Sequence, residues 1–152
     1  MAMKRFSAKT ENTVQQAGWY PGRQVPAQLA AWKSNEMLSY FEMFPIAEKI
    51  LLEFGDLRVD QQGPGENCAR EPFVVDPTFA AYEQELFGYF STLVNTRLYP
   101  LGEVYSGYNF WAIGEDNHVY ALMENIQLLG KDIDDALENL IIGRKGIEIL
   151  PG

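Results

Sequence analysis

Tyr108-Asn109-Phe110-Trp111-Ala112-Ile113, the turn residues Gly114-Glu115-Asp116-Asn117, and then Val119-Tyr120-Ala121-Leu122-Met123 decide the fold. Aromatic and β-branched residues flank a polar turn, which reads as an antiparallel hairpin. Large side chains stand at nearly every position of 108–113, so both faces of that strand are occupied. One face is expected to meet helices. The other is expected to be an exposed aromatic and acidic surface of the kind protein interfaces use.

Outward from the hairpin, 98–129 reads as strand throughout, with Ile126 to Leu129 as one more antiparallel segment. Asp132 then caps a helix with the apolar stripe Ile133, Ala136, Leu137, Leu140 and Ile141, and Gly143 ends it. On the amino-terminal side, Asp76-Pro77 is expected to start a helix with the stripe Phe79, Tyr82, Leu86, Phe90 and Leu93. Phe73-Val74-Val75 and Leu57-Arg58-Val59-Asp60 read as short strands around a Gly/Pro loop, 61–71. Before them, Ser7 to Ala17 is weakly helical. Pro26 opens a helix with the stripe Leu29, Trp32, Met37, Tyr40, Phe41 and Phe44, and Pro45 opens another to Phe54, with Gly55 as its left-handed cap. Helices, short strands, a helix, antiparallel strands and a final helix give the α+β class, with helices packed on a mostly antiparallel sheet. Residues 1–152 are expected to form one domain with its core at about 10–145.

The 152 residues carry 12 Lys+Arg against 21 Asp+Glu, a net charge of −9. This balance argues against nucleic-acid binding and against a polybasic membrane-surface protein. Residues 1–60 hold seven acids and seven bases, while 61–152 hold fourteen acids and five bases, so the whole surplus lies in the later part. Such a surface can steer a basic partner. No signal peptide and no apolar run of roughly 20 residues is visible, so a soluble, cytoplasmic protein is expected.

Chemical motifs are sparse. Gln62-Gly63-Pro64-Gly65-Glu66 lacks the Gly-Lys-Ser/Thr of a phosphate loop, and no helix start follows it. One cysteine, Cys68, and one histidine, His118, supply neither a disulfide nor a nucleophile–base pair nor a thiolate or imidazole metal site. The acid pairs Glu115/Asp116 and Asp134/Asp135 sit in a turn and in a helix first turn, where local backbone bonding and the helix dipole account for them. No catalytic residues, cofactor or metal are expected.

The stretches Ala17-Gly18-Trp19-Tyr20-Pro21-Gly22-Arg23, Leu52 to Val59, Phe73-Val74-Val75-Asp76-Pro77 and Leu98-Tyr99-Pro100-Leu101-Gly102-Glu103 are similar, in order and spacing, to the SUKH superfamily of bacterial immunity proteins, particularly its third subfamily. The hairpin and the final helix complete the pattern over about 10–145. The family often carries glycine where Asp56 stands and near Asn117-His118, and Asp and Asn tolerate the left-handed backbone such glycines supply. The resemblance implies a SUKH-like α+β fold and a non-catalytic protein of polymorphic toxin systems that binds and neutralises a cognate toxin, often a nuclease or deaminase. It also implies that Trp19, Pro21, Gly22, Arg23 and the Phe54-Gly55 turn are structural markers, with Arg23 a candidate to pair with a carboxylate. Contacts with a basic toxin are expected from Glu103, Tyr105, Tyr108, Trp111, Glu115 and Asp116, with Asp132, Asp134 and Asp135 in reserve. The alternative is a regulatory or scaffold module with a cellular partner. A toxin gene directly upstream would separate the two.

Overall fold

The computed structural model describes residues 4–151. Its seven strands form one sheet whose spatial order is the chain order: β1 (Arg58–Val59), β2 (Phe73–Val75), β3 (Leu98–Val104), β4 (Asn109–Gly114), β5 (Val119–Leu122), β6 (Ile126–Gly130) and β7 (Ile147–Ile149). Every neighbouring pair is antiparallel. The hairpin pairs Phe110 with Leu122, Trp111 with Ala121, Ala112 with Tyr120 and Ile113 with Val119. Its turn places Asn117 at φ 77°, the left-handed conformation that asparagine tolerates. Asp116 holds the turn by accepting from the His118 amide at 3.0 Å and the Tyr120 hydroxyl at 2.7 Å.

Alternation across the pleat sends Trp111, Ile113, Val119 and Ala121 to one face and Phe110, Ala112, Tyr120 and Leu122 to the other. Both faces are covered. The first packs on α1 (Ala8–Gln16), α2 (Pro26–Lys33), α3 (Pro45–Phe54) and α5 (Ile133–Ile142) through Val14, Trp32, Leu51, Phe54 and Leu137. The second packs on α4 (Gln84–Val94) through Phe87 and Phe90. The expected exposed sheet face is therefore absent here, because α4 lies across it. Burial of each large apolar side chain contributes roughly 1.5–3 kcal/mol, which favours covering both faces.

Two helices differ from the periodic reading. α2 stops at Lys33, since Asn35 accepts from the Met37 and Leu38 amides and starts a 3₁₀ turn, Glu36–Leu38. Tyr40 thereby leaves the buried stripe and stands in solvent. Asp76-Pro77 likewise opens only a 3₁₀ turn, Pro77–Ala80, and α4 begins at Gln84. That reset turns Phe87 and Phe90 inward and leaves Phe79 and Tyr82 outside. Nor is Gly55 the left-handed residue: its φ is −53°, and Asp56 takes φ 67° instead. Glycine is needed at 55 for closeness, since a Cβ there would lie 2.5 Å from the Leu51 carbonyl oxygen and 2.8 Å from the Trp32 ring.

Guanidinium groups close two helix C-termini. Arg23 donates to the Glu53 carbonyl at 2.6 Å and the Gly55 carbonyl at 2.8 Å, so its partners are main-chain oxygens at the end of α3 rather than the carboxylate envisaged from sequence. At the end of α5, Gln61 Nε2 donates to the Leu140 carbonyl, Arg70 Nε to Ile141, the Glu66 amide to Ile142, and the Asn67 and Cys68 amides to Gly143. These are the orphan acceptors every helix leaves at that end. The glycine-rich loop thus serves a helix C-terminus, the opposite polarity from a phosphate loop.

The same substitution should have opposite signs at two glycines. A Cβ on Gly65 would meet the Cys68 carbonyl oxygen at 2.3 Å and Gly143 Cα at 2.6 Å. Gly65→Ala should therefore destabilise by about 2–3 kcal/mol in a urea titration. Gly88, inside α4, has nothing within 4 Å of its Cβ position. Gly88→Ala should stabilise by about 0.5–1 kcal/mol in the same titration.

Candidate partner-binding surface

The residues expected to meet a partner fall at two separate ends of the central strands. Glu103 pairs with Phe110 and Leu98 with Gly114, which puts Glu103, Tyr105 and Tyr108 at one end and Glu115 and Asp116 at the other. Six residues of strand separate the ends by about 17 Å. Trp111 belongs to neither. It is 0% exposed, packs edge-on to Phe73 at 5.4 Å between ring centroids, and donates its indole N–H to the Val74 carbonyl at 3.0 Å. As a surface contact Trp111 is corrected to a core residue, because it points into the larger of the two cores.

The first end carries backbone strain. Tyr105 and Ser106 have φ 53° and 60°, left-handed values for residues with a Cβ. Ser106 is tied down by its amide on the Pro72 carbonyl and its hydroxyl on Glu71. Burial pushes the Tyr105 hydroxyl up to about 12. Burial also raises the half-buried Glu103 carboxyl, against the pull of Arg58. Of the three expected contacts at this end, Tyr108 is the one that stands well out in solvent.

At the second end the acids are engaged within the fold. Glu115 is paired with Arg97, which also reaches Glu42, and the Arg97 hydrogen bond holds the Glu115 carboxyl below its ordinary value. Asp132 Oδ1 caps α5 by accepting from the Asp135 amide at 2.8 Å, and Asp135 Oδ2 accepts from the Lys131 amide at 3.1 Å. Asp134 is bridged at 2.8 Å to Arg5, which also holds Glu53 at 2.7 Å. Acid catalysis needs a carboxyl raised into the working range, and Glu115 moves the other way. His118 Nδ1 lies 3.4 Å from Asp116 Oδ2 beside the turn. Burial raises the Cys68 thiol, opposite to what a nucleophile needs. Among the described residues no group of three His, Cys, Asp or Glu is placed to hold a metal, and no helix is long and apolar enough to cross a membrane.

The exposed aromatics gather elsewhere. Tyr40 (66% exposed), Phe79 (42%), Tyr82 (76%) and Tyr89 (61%) lie on the two 3₁₀ turns, their flanks and the outer side of α4. The turns touch each other, and Phe41 stacks edge-on to Phe87 at 5.3 Å, joining these segments into one layer. The layer carries Glu36, Glu42, Asp76, Glu83 and Glu85, and no Lys or Arg occurs at 34–48 or 71–96. A groove of about 240 Å³ runs between Tyr40 and α4, walled by Gln84, Gly88, Ser91 and Arg97. The Gln84 amide oxygen is buried with no hydrogen-bond partner among the described residues. An acceptor left so costs about 1–3 kcal/mol. The cation-free run 71–96 was the available sequence signal, hidden because Tyr82 and Phe79 fit a helical stripe that α4 does not follow.

Comparison with curated proteins and with solved structures returns no match. A family model described as SUKH-3 immunity protein matches residues 6–143, from Phe6 beside α1 through Gly143 at the end of α5. The match takes in both helical layers and six of the seven strands. The chain belongs to the SUKH-3 immunity protein family.

Proposed function

We propose that the chain neutralises a cognate toxin of the nuclease or deaminase class by binding over or beside its active site, in the cytoplasm, and performs no chemistry of its own. Family membership across 6–143 carries this reading. Charge supports it. An enzyme acting on nucleic acid presents a cationic face to phosphate, and the surplus of 61–152 is anionic. A protein of net charge −9 competes for that face and is drawn to it before contact. The acids Glu115, Asp116, Asp134 and Asp135 each already serve an ion pair, a turn or a helix end, which accounts for these acid pairs without a catalytic part.

Co-expression with the adjacent toxin gene should restore growth that the toxin alone stops. The purified pair should associate about tenfold more slowly when salt is raised from about 20 mM to about 500 mM, because screening shortens the reach of the acids. Stopped-flow mixing reads the rate. Unrelieved toxicity would remove the immunity reading, and a salt-indifferent rate would remove its electrostatic part.

A further inference from the structure

Resting on the immunity reading, we propose that the toxin is seated on the outer face of α4 and its flanking 3₁₀ turns, and that the element docked there is a Lys- or Arg-bearing segment lying against Gly88. Four observations converge on this face. Tyr40, Tyr82 and Tyr89 present large amphipathic rings to solvent, and tyrosine gives contact area with little side-chain entropy to lose. Tyr89 is held edge-on to the buried Phe90 at 5.0 Å between centroids, so its ring is positioned before any partner arrives.

The charge of the layer is one-sided. The cation on the wall of its groove, Arg97, is already claimed by Glu42 and Glu115. A second copy of this chain would bring like charge against like charge on such a face, whereas a cationic segment is complementary. Gly88 is the third observation. Glycine inside a helix is unfavourable relative to alanine, and nothing within this molecule asks for it, since the space at its Cβ is open. It stands on the groove beside Tyr40, where a missing side chain lets another backbone come close. The Gln84 oxygen, one turn earlier on the same wall and unpartnered among the described residues, is the fourth observation and a second local cost borne by this stretch. Local costs without an internal return cluster at functional surfaces.

The test uses the full chain against the catalytically inactivated product of the adjacent toxin gene, read by biolayer interferometry, with a thermal melt of every variant. Tyr82→Ala/Tyr89→Ala should weaken binding about 100-fold. Glu83→Lys/Glu85→Lys should slow association about tenfold and flatten its salt dependence. Gly88→Ala should melt no lower than the wild type and yet bind about tenfold more weakly, a combination that loss of folding cannot produce. Glu103→Gln/Tyr108→Ala, at the end of the β3–β4 pair away from Glu115, should bind as the wild type does. If the wild type binds and the α4 variants bind equally well, the face is wrong and the immunity reading stands. If instead Tyr82→Ala/Tyr89→Ala dissolves a dimer of the isolated chain in a sizing column, the face belongs to a second copy and the proposal falls. A wild type that neither binds the toxin nor protects against it overturns the immunity reading itself.

Discussion

Strands β3, β4 and β5 have no side left for water. Phe110 and Trp111 are consecutive residues, so the pleat throws their rings to opposite faces, and both are buried. A sheet with large apolar side chains on both sides is stable only when covered twice. One cover is the assembly of α1, α2, α3 and α5, and the other is α4 with the turn before it. The second cover is a single helix deep, so its inner side is Phe87 and Phe90 while its outer side and the flanking turns expose Tyr89, Tyr40, Phe79 and Tyr82.

Internal demand for cations shapes that surface as much as packing does. Of the six arginines, Arg23 and Arg70 are bonded to main-chain oxygens at helix C-termini. Arg5, Arg97 and Arg144 are bonded to carboxylates of other elements. Guanidinium suits these posts because its planar fork can hold two acceptors at once. Five of the six guanidinium groups are thereby committed to joining elements rather than to meeting a partner.

The hairpin, α3 and α5 were legible because their signals are redundant: period, cap and terminator agree at Asp132, the 133–141 stripe and Gly143. The left-handed turn at Asn117 agrees with the family's glycine near that position, whereas the cap expected at Gly55 falls one residue later, on Asp56. Short 3₁₀ turns defeated the reading elsewhere. A non-helical residue resets the phase of whatever follows, so a stripe counted from Pro26 or Asp76 points the wrong way by Tyr40 or Tyr82. Burial of Trp111 was illegible for another reason. One strand's composition says that two faces are filled, but not which face each ring takes or how well it is covered; Trp111 lies under α1, α2, α3 and α5, while α4 covers the face of Phe110. β7 carries no signal of its own, because Ile147-Glu148-Ile149 is too short for alternation to register.

Strand order equal to chain order has a consequence for how the molecule assembles. Each strand pairs with the one synthesised just before it, and the connections within β3–β6 are the short segments 105–108, 115–118 and 123–125. Closing a short loop sacrifices little chain entropy, so the central sheet can zip up progressively with no crossover to wait for. Docking α1 is the exception. The Ser7 amide bonds to Glu138, 131 residues away, and Arg5 bridges to Asp134, so the first helix finds its place only after the last has formed. The segment that carries Arg5 and Ser7 is therefore the latch of this fold, engaged once α5 is in place rather than when α1 itself forms.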